Sequence, residues 1–120
     1  MKEAGGLHFS QLNRLEVDVK VHQRRVTVEL TDFTLADPEL LPERLRGGGH
    51  FTDCIDYWAV DFDYKGDTFH NMWQSFRTRS RELDTRAAHQ YQRPGAYRIL
   101  IEATDVFGND TTSLLSTEIP

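Results

Sequence analysis

The chain has a single cysteine, Cys54, in 120 residues. It can form no intrachain bridge, which excludes the disulfide-stapled extracellular scaffolds. Without a second cysteine, a zinc site would have to be assembled from five scattered histidines, which lack the clustered spacing of structural zinc. Long apolar runs are missing too. None approaches the ~20 residues of a membrane span, and the opening MKEAGGLHFS has no apolar run or small-residue cleavage site of a secretory signal. The expectation is a cytoplasmic protein without membrane contact. Positive charge is in deficit, with 14 Lys and Arg against 19 Asp and Glu and a net charge of -5. Such a balance repels a phosphate backbone at long range and opposes non-specific DNA binding by the domain as a whole. No serine lies in a G-x-S-x-G turn, and no glycine-rich turn follows a strand to hold a nucleotide. No catalytic residue and no cofactor are therefore expected.

What is present is two-residue periodicity. Leu15, Val17, Val19 and Val21 alternate with Glu16, Asp18 and Lys20, placing aliphatics on one sheet face and charges in water. Val26, Val28 and Leu30 repeat the pattern after His22 to Arg25, so the two runs should pair as a hairpin, with Phe33 and Leu35 prolonging the second. Residues 36–52 hold two prolines and a triple glycine, predicting a long loop with one short helical turn over Pro42 to Arg46. Residues 1–12 are expected to be a flexible segment preceding a domain over 13–120. Ile55 to Phe62 reads as a central strand, with Trp58, Val60 and Phe62 on one face. Each of these is worth ~1.5–3 kcal/mol if fully buried.

Further strands are predicted over Met72 to Thr78 and Thr85 to Tyr91. Gln92 to Ala96 reads as a type II turn, with Pro94 presetting φ and Gly95 taking positive φ. Tyr97, Ile99, Ile101 and Ala103 alternate in the next strand, and Thr111 to Ile119 closes the chain. Six to eight short strands without a long amphipathic helix predict an all-β, two-sheet antiparallel sandwich.

Two local patterns bear on function. DFDYKGD, residues 61–67, offers Asp61, Asp63 and Asp67 as weak cation candidates. An EF-hand count from Asp61 puts Lys65 at position 5 and Met72 at position 12, where an oxygen ligand and a bidentate glutamate are required, so that loop is excluded. The ordinary reading is a turn, with aspartates bonding nearby backbone N–H groups and Gly66 at positive φ. The second pattern is the strip over 73–86. Trp73, Phe76, Arg77, Arg79, Arg81 and Arg86 are residue types enriched at binding hot spots and able to stack on bases, and they form the candidate binding surface. Its bland reading is a core finished by the aromatics and arginines in solvent.

The second half resembles the PKD-type immunoglobulin-like domain. The residues that carry the likeness are Val60-Asp61-Phe62-Asp63 with Gly66-Asp67, His89-Gln90-Tyr91, Pro94-Gly95-Ala96-Tyr97-Arg98-Ile99, and Asp105-Val106-Phe107-Gly108-Asn109. Val60 stands where the family has tryptophan, and Asp63 where it has glycine. The likeness implies a PKD-type sandwich with Tyr97 as a tyrosine corner, its hydroxyl bonded to upstream backbone. It also implies that Ile99 packs near Trp58 in place of a disulfide.

A wider stretch is similar to the C-terminal region of bacterial site-specific adenine DNA methyltransferases of restriction-modification type. It includes Ile55 to Asp63, Gly66 to Asn71, Trp73 to Arg79 and Asp105 to Thr112. The catalytic domain of those enzymes is not encoded here, since no [DN]-P-P-[YFW] motif occurs. This resemblance implies a non-catalytic accessory domain whose partner is an upstream methyltransferase domain or restriction-modification subunit, with DNA as a further partner through the 73–86 strip. The alternative from another class is a stand-alone PKD-like module that binds protein or carbohydrate, or acts as a spacer.

Overall fold

The structure is a computed structural model and describes residues 13–36 and 50–120. The predicted flexible segment 1–12, the helical turn over 42–46 and most of the 36–52 loop lie outside the described residues. Among the described residues seven strands run in the order β1 (Arg14–His22), β2 (Arg25–Thr34), β3 (Ile55–Asp61), β4 (Trp73–Phe76), β5 (Arg86–Gln90), β6 (Gly95–Asp105) and β7 (Asp110–Ile119). They form an antiparallel three-stranded sheet, β1-β2-β5, and an antiparallel four-stranded sheet, β4-β3-β6-β7. The fold is the all-β sandwich that the alternation predicts. Among the described residues no helix is long and apolar enough to cross a membrane.

The two-residue period explains which face of each sheet is covered. Val26, Val28 and Leu30 of β2, Trp58 and Val60 of β3, and Ile99, Ile101 and Ala103 of β6 are all at most 2% exposed and meet in one cluster. Phe62, one residue past β3, joins them. Trp58 also fixes the sandwich through its polar edge, because its Nε1 donates to the Asp84 carbonyl at 2.6 Å. Indole burial requires such a partner, and the chain supplies it from the crossover between β4 and β5. The end of that crossover is tied to both sheets. The Asp84 amide donates to Ser75 Oγ at 2.9 Å, and the Leu30 amide donates to the Thr85 carbonyl at 2.8 Å.

Two local details depart from expectation, and the expected hairpin has an unusual turn. Phe51 and Thr52, expected at the end of the loop, belong to a 3₁₀ turn, Phe51–Cys54, capped by His50. Its cap is reciprocal: the Thr52 amide donates to His50 Nδ1 at 3.3 Å, and the His50 amide donates to Asp53 Oδ2 at 3.1 Å. Histidine is not among the usual N-cap residues, so the sequence carries no start signal there. Gly95 has φ 148°, well past the roughly +80° of a type II turn; it already serves as the first residue of β6. The β1–β2 hairpin turns on Gln23 at φ 56°, a position that two-residue loops ordinarily give to glycine or asparagine.

Candidate functional site

Asp61 and Asp105 end the two central strands of the larger sheet, and both are fully buried. Their carboxylates are spent on turns. Asp61 Oδ1 accepts from the Asp63 amide at 3.0 Å and Oδ2 from the His70 amide at 2.8 Å. Asp105 Oδ1 accepts from the amides of Phe107 and Asn109 at 2.9 and 3.0 Å, and Oδ2 from Asn13 Nδ2 at 3.1 Å. The carboxylates of DFDYKGD are used separately. Asp63 pairs with Lys65 at 3.0 Å, Asp67 Oδ1 accepts from the Thr68 amide at 2.6 Å, and Gly66 sits at φ 97°. Among the described residues no group of three His, Cys, Asp or Glu is placed to hold a metal.

Beside that turn an aromatic stack closes one end of the sandwich. Phe62 lies over His89 with centroids 5.0 Å apart, His89 meets Tyr91 edge-on at 4.7 Å, and Tyr91 stacks on Tyr97 at 4.0 Å. The Tyr91 hydroxyl donates to the Phe62 carbonyl at 2.7 Å. Burial raises its pKa well above the ordinary phenol value, and Asp63, Tyr97 and Asp61 add to the rise. Desolvation lowers the pKa of His89, with the Asp63 carboxylate opposing it. Tyr97 donates its hydroxyl to the Arg93 carbonyl at 2.8 Å, the tyrosine-corner bond that the resemblance implies, although its ring is half-buried rather than enclosed. The Tyr91 and Tyr97 hydroxyls are each bonded to a backbone carbonyl, and the His89 ring packs against Phe62 and Tyr91.

The 73–86 strip does not form one face. Trp73 turns inward against Trp58, with centroids 4.7 Å apart, whereas Phe76, on the opposite alternation phase, is 49% exposed and stacks on Tyr57 at 5.2 Å. Arg77 folds back on β3. Its Nε and Nη2 donate to the Ile55 carbonyl at 3.2 and 3.1 Å, and Nη1 lies 3.8 Å from Asp53. Arg79 occupies the tip of a tight turn closed by a Thr78–Arg81 bridge, and both Arg79 and Arg81 are exposed. Arg86 stands on the other sheet, 3.5 Å from Glu29. Phe76, Arg79 and Arg81 thus stay together at one edge, while Trp73, Arg77 and Arg86 are engaged elsewhere.

Cys54 is half-buried. Burial and then Asp53 raise its thiol pKa, which makes it a poor nucleophile. On the outer face of the larger sheet, register aligns Phe76, Tyr57 and Thr104 in one row and Gln74, Ala59 and Glu102 in the next. Desolvation there raises the pKa of Glu102, followed by repulsion from Asp110.

Among solved structures, the chain is similar to the PKD1 domain of Vibrio anguillarum Epp, with a TM-score of 0.54 and 17% identity, covering 89% of this chain and 92% of that one. It is similar also to the PKD1 domain of the Vibrio cholerae metalloprotease PrtV, with a TM-score of 0.53 and 17% identity, covering 88% and 93%. No family model matches the chain, and no curated protein matches it. The comparisons connect it with PKD domains and not with a methyltransferase. At this identity the likeness reaches the architecture alone: the chain has the fold of a PKD-like sandwich.

Proposed function

We propose that this domain is a non-catalytic recognition module whose ligand, protein or carbohydrate, is held on the outside of the sandwich. The observation that carries this reading is the use made of the interior. Trp58, Phe62, Ile99 and Ile101 fill the space between the sheets, and the two buried carboxylates are engaged by backbone N–H groups and, at Asp105 Oδ2, by the Asn13 side chain. The likeness to protease-associated PKD domains supports a module of this kind. The test is to incubate the domain with glycan and peptide arrays and to examine the bound ligand by mass spectrometry. Saturable binding with the ligand chemically unchanged is the expected result. A covalently altered ligand would contradict the reading.

A second reading, the accessory domain of an adenine methyltransferase in contact with DNA, draws on the sequence resemblance and on the exposure of Arg79, Arg81 and Arg86. Its signature is duplex binding that weakens steeply with salt and is reduced by Arg79→Ala and Arg81→Ala. The net charge of -5 works against it.

A further inference from the structure

Among the described residues strand β4 is an edge, paired on one side to β3 alone. The Arg77 amide donates to the Asp56 carbonyl at 2.9 Å. Because backbone groups of alternate residues point to opposite sides of a strand, Trp73, Ser75 and Arg77 face β3, and Gln74, Phe76 and Thr78 turn their N–H and C=O away from it. The outward groups of Thr78 are already paired with Arg81, at 3.1 and 3.4 Å. Among the described residues no backbone group pairs those of Gln74 and Phe76.

Of the devices that protect an edge, this strand has only shortness, at four residues. Its sequence Trp-Gln-Ser-Phe has no proline, no charge and no register shift. The edge strand β1, by contrast, carries a bulge at Glu16/Val17 and alternating charges. Two depressions lie alongside β4, one of about 250 Å³ lined by Phe76, Thr78, Arg81 and Asp84, and one of about 360 Å³ lined by Asn71, Met72 and Trp73, with Gln74 between them. Met72 and Phe76, exposed by 44% and 49%, flank the strand at either end.

We infer that β4 is a strand-addition site: an extended segment of a partner protein pairs with Gln74 and Phe76, sets alternate side chains into the two depressions, and places an acidic residue beside Arg79 and Arg81. This rests on the recognition-module reading and chooses protein over carbohydrate within it. The acidic end follows from charge. Neither Arg79 nor Arg81 forms an ion pair with a carboxylate of the described residues. A second copy of this chain, paired antiparallel across β4, would lay the arginine end against Asn71 and Met72 and supply no carboxylate. Main-chain bonds give such a complex its affinity, and alternate pockets give it selectivity.

The test is to pan a displayed random-decapeptide library against the whole domain and to follow the selected peptides by titration and amide hydrogen exchange. The expected peptides carry an acidic end and slow the exchange of the Gln74 and Phe76 amides. They bind Gln74→Pro at least tenfold more weakly, because that change removes an outward donor while leaving the β3 pairing intact. Arg81→Glu should weaken binding severalfold, and it keeps the test valid should the proline variant not fold. Selected peptides that bind both variants as tightly as the parent, or that leave the Gln74 and Phe76 amides unprotected, would overturn the edge site while leaving the recognition-module reading intact. Glycan binding lost in Phe76→Ala but kept in Gln74→Pro would overturn it in favour of the outer face. An absence of any peptide or glycan binder would overturn both.

Discussion

Tyr91 and His89 show how the sandwich end is closed one side chain at a time. The Tyr91 hydroxyl reaches the Phe62 carbonyl at 2.7 Å inside the core, so Tyr91→Phe leaves a buried carbonyl unpaired. The expected loss is about 1–3 kcal/mol, read by urea unfolding; an unchanged midpoint would show that water already serves that carbonyl. His89 lies against Phe62 and Tyr91, with the Asp63 carboxylate as its charged neighbour. Its folded pKa lies below its unfolded value, so the unfolded chain binds the proton more readily and stability falls as pH drops through and below about 6.5. His89→Phe should flatten that slope between pH 7.5 and 5.5. An identical slope in both proteins would assign the pH dependence to other groups. The H-x-Y spacing marks these residues in the sequence, but it cannot show that the imidazole stacks on Phe62. Nor does it show that Asp61 is buried, because strand alternation puts Asp61 out of phase with Phe62 and only the turn over it provides cover.

At the level of elements, the long strands were legible because both their faces have a clear polarity. β1, β2, β6 and β7 emerge within a few residues of where the alternation puts them. The 3₁₀ turn at Phe51–Cys54 was not legible, since its cap is a histidine; the β1–β2 hairpin was legible from its two alternating runs, although its turn at Gln23 carries no glycine. The candidate strip misleads for a related reason. Residues 73–86 are continuous in sequence, yet they leave one sheet and enter the other, so a run of arginines becomes three separate environments. Periodicity reports which face a residue takes within a strand; it carries no information on where a crossover sends the next one.

The turn after β3 permits a sharp test at this scale. Gly66 adopts φ 97°, and a Cβ there would come 2.8 Å from Arg98 Nη2. Gly66→Ala therefore combines backbone strain with displacement of the guanidinium from the Tyr64 ring, over which it sits at 5.4 Å. A loss of roughly 1–2 kcal/mol is expected, and Arg98→Ala in the same background should recover the steric part. A neutral Gly66→Ala would show that the turn tolerates ordinary φ values.

At the scale of the molecule, one apolar layer holds the two sheets together, and among the described residues the surfaces open to a ligand lie outside it. Trp58 is the junction, with its ring buried at 0% exposure and its Nε1 bonded to the crossover that links the sheets. Phe76, on the edge strand β4, contributes to the edge and outer face instead, at 49% exposure. The most direct measurement is urea unfolding of Trp58→Ala and Phe76→Ala beside the parent. Trp58→Ala should lose ~3–5 kcal/mol, a large part of the 5–15 kcal/mol typical of a domain. Phe76→Ala should lose under about 1 kcal/mol. Equal losses, or a greater loss for Phe76→Ala, would contradict the division between a closed interior and a surface left free for recognition.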